Sequence, residues 1–262
     1  MAALRITWLR TSCLLLEHGG LHVLTDPWFG KTMRGLPVFR KPSVSLQDLP
    51  RIDVIAASHL HRDHFDVDAV RFLHERNPRL RVVGTRGTAA FCKRRGLGLE
   101  VQELGPWQTA TLPGLSLTGT PAEHTGPPPA EVNFLLDFHD IRVFFGGDAR
   151  WSDAYRRIGA RLAPIDVALL PIGGTLIFGH RTTMAPADAV RACALLQPRW
   201  AVPIHEGGEW LPLPPASWHP GRNADFCALL GTSGQRAQAA ALKPGEVGVF
   251  EAEAGFHRLV QG

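Results

Sequence analysis

Along the first half of the chain, apolar residues fall in short period-two runs or continuous blocks separated by turn residues. Arg5 to Leu9, Ser12 to Glu17 and Leu21 to Thr25 follow this pattern, with a Gly19-Gly20 turn between the last two, and predict antiparallel strands. Residues Gly30 to Pro50 hold three prolines, several basic residues and little periodicity, which predicts a loop excursion that could lie over a site. Ile52 to Ala57 is a continuous apolar run, the mark of a buried strand, and it leads directly into Ser58-His59-Leu60-His61-Arg62-Asp63-His64-Phe65-Asp66. Val67, Val70 and Leu73 then recur at helical spacing, so Asp66 to Glu75 predicts a helix capped by Asp66. The polar stretch therefore sits on a strand-to-helix turn.

Further on, Leu80 to Val83 predicts a strand, Thr88 to Arg95 a short helix stopped by Gly96, and Val101 to Leu104, Gln108 to Leu112 and Leu115 to Thr120 further strands. Asn133 to Phe138 and Ile141 to Phe145 flank His139-Asp140 as a hairpin that ends on Gly146-Gly147-Asp148. The second half repeats the strand-then-helix order. It contains helix Ser152 to Leu162, strand Val167 to Pro171, loop Gly173 to Thr183, helix Pro186 to Leu196 and strand Trp200 to Ile204, which reaches His205. A helix over Asn223 to Leu230 and a strand over Val247 to Phe250 follow. No residue-level repeat is present, yet the similar order permits a duplicated architecture.

Composition adds bounds. With 262 residues, 45% hydrophobic and 20% charged, the chain has enough apolar material for one substantial core, and residues 1–262 are expected to form a single domain. Cys13, Cys92, Cys193 and Cys227 form no Cys-x-x-Cys pair, which points to reduced thiols in a cytoplasm. Leu14-Leu15-Leu16 is too short for a cleavable leader and no run approaches membrane-spanning length, so no transmembrane segment is expected. The net charge of +4 is small for this length, and the basic residues between Arg71 and Arg95 read as a solvated helix face. No nucleic-acid partner is expected.

Three imidazoles and two carboxylates within nine residues are costly to bury without a partner. A divalent cation would be such a partner, because neutral imidazole and carboxylate are ligands that Zn²⁺ and similar ions prefer. Three more polar residues stand where apolar strands stop: His124, Asp148 and His205. In open sheets the strand ends converge on one rim, so these can meet His59, His61, Asp63 and His64, and seven such groups suffice for two cations. Asp26 ends another strand and His180 lies in the Gly173 to Thr183 loop. Trp28, Phe29, Trp151 and Trp210 flank the same segments and read as packing or as an apolar substrate wall.

At these residues the sequence resembles the metallo-β-lactamase-fold hydrolases. The His-x-His-x-Asp-His motif, the later lone His124, Gly147-Asp148 and His205 occur in that family's order. Leu170-Pro171-Ile172-Gly173, Met184 to Ala189 and Pro203-Ile204-His205 resemble the branch of ascorbate-6-phosphate lactonase-like and N-acylphosphatidylethanolamine-hydrolysing phospholipase D-like proteins. The resemblance implies an α+β fold, a four-layer αβ/βα sandwich of two mixed β-sheets flanked by helices. It also implies that His59, His61 and His124 hold one metal, that Asp63, His64 and His205 hold a second, that Asp148 bridges them, and that Asp26 orients a ligand histidine. Several true β-lactamases carry a cysteine at the Asp148 position, so antibiotic hydrolysis is not implied.

The expected activity is metal-dependent hydrolysis of a small or lipid-like phosphodiester, ester or lactone. Two divalent ions, Zn before Mn, Fe or Ni, would activate a water, with Asp63 or Asp148 steering it. His180 would contact substrate or protonate the leaving group. An iron-dependent redox enzyme and a nuclease of the same fold are the competing expectations. The sequence names neither the physiological substrate nor the oligomeric state.

Overall fold

The computed structural model describes residues 2–33, 36–124, 131–207, 216–251 and 255–259. In chain order its elements are β1 (Leu4–Arg10), β2 (Cys13–His18), β3 (Leu21–Thr25), β4 (Thr32–Met33), β5 (Leu36–Pro37), β6 (Val54–Ala57), α1 (Val67–Arg76), β7 (Arg81–Thr85), α2 (Thr88–Arg94) and β8 (Glu100–Leu104). There follow β9 (Thr109–Leu112), β10 (Leu115–Pro121), β11 (Val132–Asp137), β12 (Arg142–Phe145), α3 (Ala154–Leu162), β13 (Ile165–Pro171), β14 (Leu176–Ile177) and β15 (His180–Arg181). The last are α4 (Pro186–Leu196), β16 (Pro198–Ile204), β17 (Ser217–Trp218), α5 (Asn223–Thr232), β18 (Gln238–Ala239), β19 (Val247–Glu251) and β20 (Gly255–Leu259).

The strands form an eight-stranded sheet in the order β20-β19-β1-β2-β3-β6-β7-β8 and a seven-stranded sheet in the order β18-β16-β13-β12-β11-β10-β9. Each sheet changes from antiparallel to parallel midway. β1, β2 and β3 are antiparallel and then β3, β6, β7 and β8 run parallel. In the second sheet β10, β11 and β12 are antiparallel and β12, β13, β16 and β18 run parallel. The two halves thus share one topology, the duplicated architecture that the sequence order permitted, and the α+β four-layer sandwich is the observed fold.

Strand periodicity explains the layers. Val167 and Leu169 of β13 face the other sheet across a core that also holds Ile6, Trp8, Leu16, Val54, Phe134, Phe145 and Trp200. Ala168 and Leu170, the alternate positions, pack under α3, α4 and α5 with Tyr155, Ile158, Ala192, Cys193 and Phe226. On the first sheet Ile55, Ala57 and Val82 likewise pack against Val70 and Leu73 of α1 and Cys92 of α2. With both faces covered, β6 and β13 read as unbroken apolar runs. Asp66 caps α1 as expected, its side chain accepting from the Asp68 and Ala69 N–H groups.

Some short ladders were not legible. Residues 30–50 contain the β4–β5 hairpin, and the expected loop 173–183 contains the β14–β15 hairpin, which pairs with β17. Two-residue ladders are too short to set up a period. β20 is a half-exposed edge strand without an apolar face and carries no strand pattern either. Trp210 lies outside the described residues. Trp28 is buried beneath the Arg10 guanidinium, 3.4 Å from its ring centroid, and Trp151 stacks on Tyr155, so both serve packing. Among the described residues no helix is long and apolar enough to cross a membrane.

Gly159 of α3 faces the backbone of Leu195 of α4. A Cβ added at Gly159 would lie 2.2 Å from the Leu195 carbonyl oxygen, so the helices would have to separate. Gly159→Ala should lower stability by about 2 kcal/mol, since overpacking against backbone outweighs the gain in helix propensity. Thermal unfolding checks this, and a variant as stable as the parent would show that the contact relaxes freely.

Candidate metal centre

The site is built where strands of both sheets end. β3 delivers Asp26, β6 delivers Ser58 and the histidine stretch, β10 leads to His124, β12 to Asp148 and β16 to His205. Two of these residues have backbones that most side chains avoid: Asp26 has φ 34° and His205 φ 53°. Neighbouring bonds hold them in place. The Asp26 N–H donates to the Ala56 carbonyl at 3.1 Å and the His205 N–H to the Thr11 carbonyl at 3.0 Å.

Hydrogen bonds on the outer side of three imidazoles, His59, His64 and His124, fix which nitrogen faces inward. The Ser58 hydroxyl donates to Asp26 Oδ2 at 2.7 Å, so at 2.9 Å it is left to accept from His59 Nδ1. His64 Nδ1 donates to Asp26 Oδ2 at 2.8 Å, and His124 Nδ1 donates to the Asp148 carbonyl at 3.1 Å. The Nε2 lone pairs of His59, His64 and His124 are therefore free to face the interior of the site.

There they crowd. His59 Nε2 is 2.9 Å and His124 Nε2 3.3 Å from His61 Nδ1. Potential ligand atoms of His59, His61 and His124 lie within 4.8 Å of one another, as do those of Asp63, His64 and His205. His64 Nε2 is buried without a hydrogen-bond partner, 3.7 Å from Asp63 Oδ2 and 3.8 Å from Asp148 Oδ2. Asp148 spans both groups, its Oδ2 3.6 Å from His124 Nε2 and its Oδ1 3.3 Å from His205 Nε2. Converging imidazole lone pairs repel unless a positive species lies between them, so the donor set fits divalent cations.

For His59, His61 and Asp148 the electrostatics agree with this donor set, whereas His64 is shifted toward its charged form. Burial, with His64, His124 and His61 around it, holds the His59 imidazole well below its ordinary value and therefore neutral. Burial and His124 lower His61 in the same sense. Burial opposes ionisation of Asp148, but His205, His124 and His64 outweigh it and hold its carboxyl well below the usual carboxylate range. For His64 burial is likewise outweighed, by Asp63 and Asp26, and the imidazole is raised.

All seven expected ligand residues and Asp26 come together. His180 does not join them, being exposed on β15. Sequence reasoning overlooked three polar neighbours. Ser58 links Asp26 to His59, and the Thr183 hydroxyl donates to Asp148 Oδ1. Glu131 is enclosed behind the histidines, and its Oε1 accepts from the Asp148 N–H at 2.8 Å. Burial and nearby Asp148 push its carboxyl well above the usual range. Ser58 was visible inside the motif, whereas nothing in the local pattern marks Glu131 or Thr183.

The Asp148 shift has a definite sign. Its unfolded value is about 3.9, so the stabilisation is complete above that pH and drains away as pH falls below it. Asp148→Asn should lower the melting temperature of chelator-treated protein at neutral pH, with the gap to the parent narrowing below about pH 4. Melting curves across pH measure this, and a gap independent of pH would contradict it.

The beta-lactamase superfamily domain matches residues 22–205. The chain is 29% identical over 224 residues to N-acyl-phosphatidylethanolamine-hydrolyzing phospholipase D 1 of Caenorhabditis elegans, across 77% of this chain and 63% of that protein. It thus spans less than two thirds of that relative's length. A metal-dependent hydrolase of Methanopyrus kandleri is 29% identical over 255 residues, covering 93% of this chain and 98% of that one. Among solved structures, Igni18, a metallo hydrolase of Ignicoccus hospitalis, superposes with TM-score 0.76 at 23% identity, across 96% of this chain and all of that one. With family match, sheet topology and ligand-bearing strand ends in agreement, the chain belongs to the metallo-β-lactamase superfamily.

Proposed function

We propose that the protein is a metal-dependent hydrolase with a two-metal centre, acting as a single domain on a small or lipid-like phosphodiester, ester or lactone. The observation that carries this reading is the pair of ligand groups, His59/His61/His124 and Asp63/His64/His205, with Asp148 within 4 Å of histidines in both. Relatives named as a phospholipase D and as a metal-dependent hydrolase support the reaction class. His59, His61 and His124 would hold one ion and Asp63, His64 and His205 the other, with Asp148 between them. Zn²⁺ suits this set best, and Mn²⁺, Fe²⁺ or Ni²⁺ are also accepted by imidazole and carboxylate. Bound divalent cations would supply Lewis acidity and bring the ionisation of water close to neutral pH.

The chain's own groups do the rest. Asp26 accepts the hydrogen bond of His64 Nδ1–H and, through Ser58, fixes the tautomer of His59. Thr183 occupies one lone pair of Asp148 Oδ1 and so limits its rotation. In this reading Asp63 or Asp148 accepts the proton of the attacking water at a carboxylate oxygen. His180, on the exposed β14–β15 hairpin, contacts substrate or protonates the leaving group. The four cysteines are free, which supports a cytoplasmic setting.

Elemental analysis of protein purified without chelator, combined with a panel of chromogenic phosphodiesters, lactones and thioesters, tests this directly. About two metal ions per chain are expected, with hydrolysis of at least one class and a loss of at least about a hundredfold in His61→Ala. Active protein without metal would overturn the reading. Iron together with colour would favour the redox alternative.

A further inference from the structure

The β14–β15 hairpin rises from the rim of the metal centre. Its base is fixed there: the Thr182 N–H donates to the Thr175 carbonyl at 2.8 Å, the Gly174 N–H to the Met184 carbonyl at 2.8 Å, and the next residue on the returning leg, Thr183, bonds to Asp148. A Cβ at Gly173 would fall 2.5 Å from the His205 carbonyl oxygen, so the outgoing leg starts beside a second ligand residue. At the far end Phe178 and Gly179 make the turn, with φ 46° and 81°. Positive φ at both turn positions suits Asn-Gly or Gly-Gly and strains an aromatic residue. Phe178 recovers nothing by burial, being 72% exposed. The fold itself thus supplies no reason for a phenylalanine at this point. Among the described residues, three of the six exposed large hydrophobic side chains, Ile177, Phe178 and Trp218, share this one small sheet, in which β17 pairs with β14. His180 and Arg181 are exposed beside them, and neither residues 176–181 nor residues 217–218 include an acid.

We propose that the sheet of β14, β15 and β17 is an interfacial anchor, one that seats Phe178, with Ile177 and Trp218, in an anionic lipid surface and holds the metal centre over the headgroups. The inference deepens the hydrolase reading above and rests on it for the choice of a lipid-like substrate. Shape decides against a single acyl chain as the occupant, because enclosing one takes a concave apolar wall, whereas a hairpin tip is convex and suits insertion. Charge decides the kind of surface. Aromatic and aliphatic side chains flanked by basic ones, in a chain of net charge +4, match anionic headgroups. Reach fits as well. Phe178 and Thr183 are five residues apart, at about 3.3 Å each, so the tip stands no more than about 17 Å from the residue that touches Asp148. Insertion to a depth of about 5–10 Å would keep the ligand groups close to the headgroup level.

Co-sedimentation of the protein with vesicles tests the anchor, using phosphatidylcholine alone and phosphatidylcholine with about a third phosphatidylglycerol. The parent should bind the mixed vesicles, and more weakly as salt is raised. Phe178→Asn should weaken that binding about tenfold, by removing the inserted ring. It should melt no lower than the parent, since asparagine tolerates a positive φ. Trp218→Ser should also weaken binding, while Leu259→Thr, on the edge strand β20 of the other sheet, should bind as the parent does. No binding by the parent, or binding by both Phe178→Asn and Trp218→Ser as tight as the parent's, would overturn the proposal. So would self-association of the lipid-free parent that Phe178→Asn abolishes, which would make the occupant a second copy of the chain. Hydrolysis is measured separately. Vesicle binding without hydrolysis of any substrate supports the anchor and overturns the hydrolase reading, whereas hydrolysis of soluble substrates without vesicle binding overturns the anchor alone.

Discussion

The Asp26 carboxylate is buried at the end of β3 with three donors on its two oxygens: the Ser58 N–H at 2.7 Å, the Ser58 hydroxyl at 2.7 Å and His64 Nδ1 at 2.8 Å. Two parallel strands, β3 and β6, are joined at their ends by one side chain. Because His59 leans on Ser58 and His64 on Asp26 itself, imidazoles from both ligand groups take their direction from this group. Removing one partner from so enclosed a set strands the others, a loss of order 3–5 kcal/mol for a buried pair. The left-handed backbone at Asp26 is strain that these bonds sustain.

The rest of the centre lies across the seam between the sheets. Over most of their area the two sheets meet through apolar side chains, an attraction without direction. At the rim the contact becomes directional. The Val132 N–H bonds to the Ser58 carbonyl, the His205 N–H to the Thr11 carbonyl, and the Ser12 hydroxyl donates to the Gly147 carbonyl at 2.9 Å. These bonds stitch β11, β16 and the end of β12 to the first sheet beside the ligand groups. Apolar packing brings the sheets together, and the polar seam sets their relative placement where ligand geometry matters.

Much of this was legible in the sequence for physical reasons. Long elements buried on one or both faces carry their pattern in the order of residues, as in β6, β13 and α4, and polar residues at strand ends mark a rim. His59, His61, Asp63 and His64 were visible because four potential ligands crowd one turn. His124, Asp148 and His205 were visible because each stands where an apolar run stops. Glu131 and Thr183 were not, since each has an ordinary residue type in an ordinary setting and acquires meaning only from neighbours distant in the chain. The β14–β15 hairpin was missed because two-residue ladders have no period, and with it the exposed position of His180. Substrate choice has no pattern of this kind at all, because it resides in the shape of loops.

One pairing described above bears on how the chain assembles. β1 lies between β2, its immediate neighbour in sequence, and β19, with Leu4 opposite Phe250 and Thr7 opposite Val247. While the polypeptide is being made, β1 and β2 can join early, but the other flank of β1 keeps its N–H and C=O groups unpaired until Val247 has been synthesised. An apolar strand with an open edge is a template for wrong partners. The residue that shapes His205, Thr11, follows directly on that strand. Closure of the first sheet and completion of the ligand rim are therefore late and long-range events, coupled through the same strand, in a topology whose slow steps come from contacts far apart in sequence.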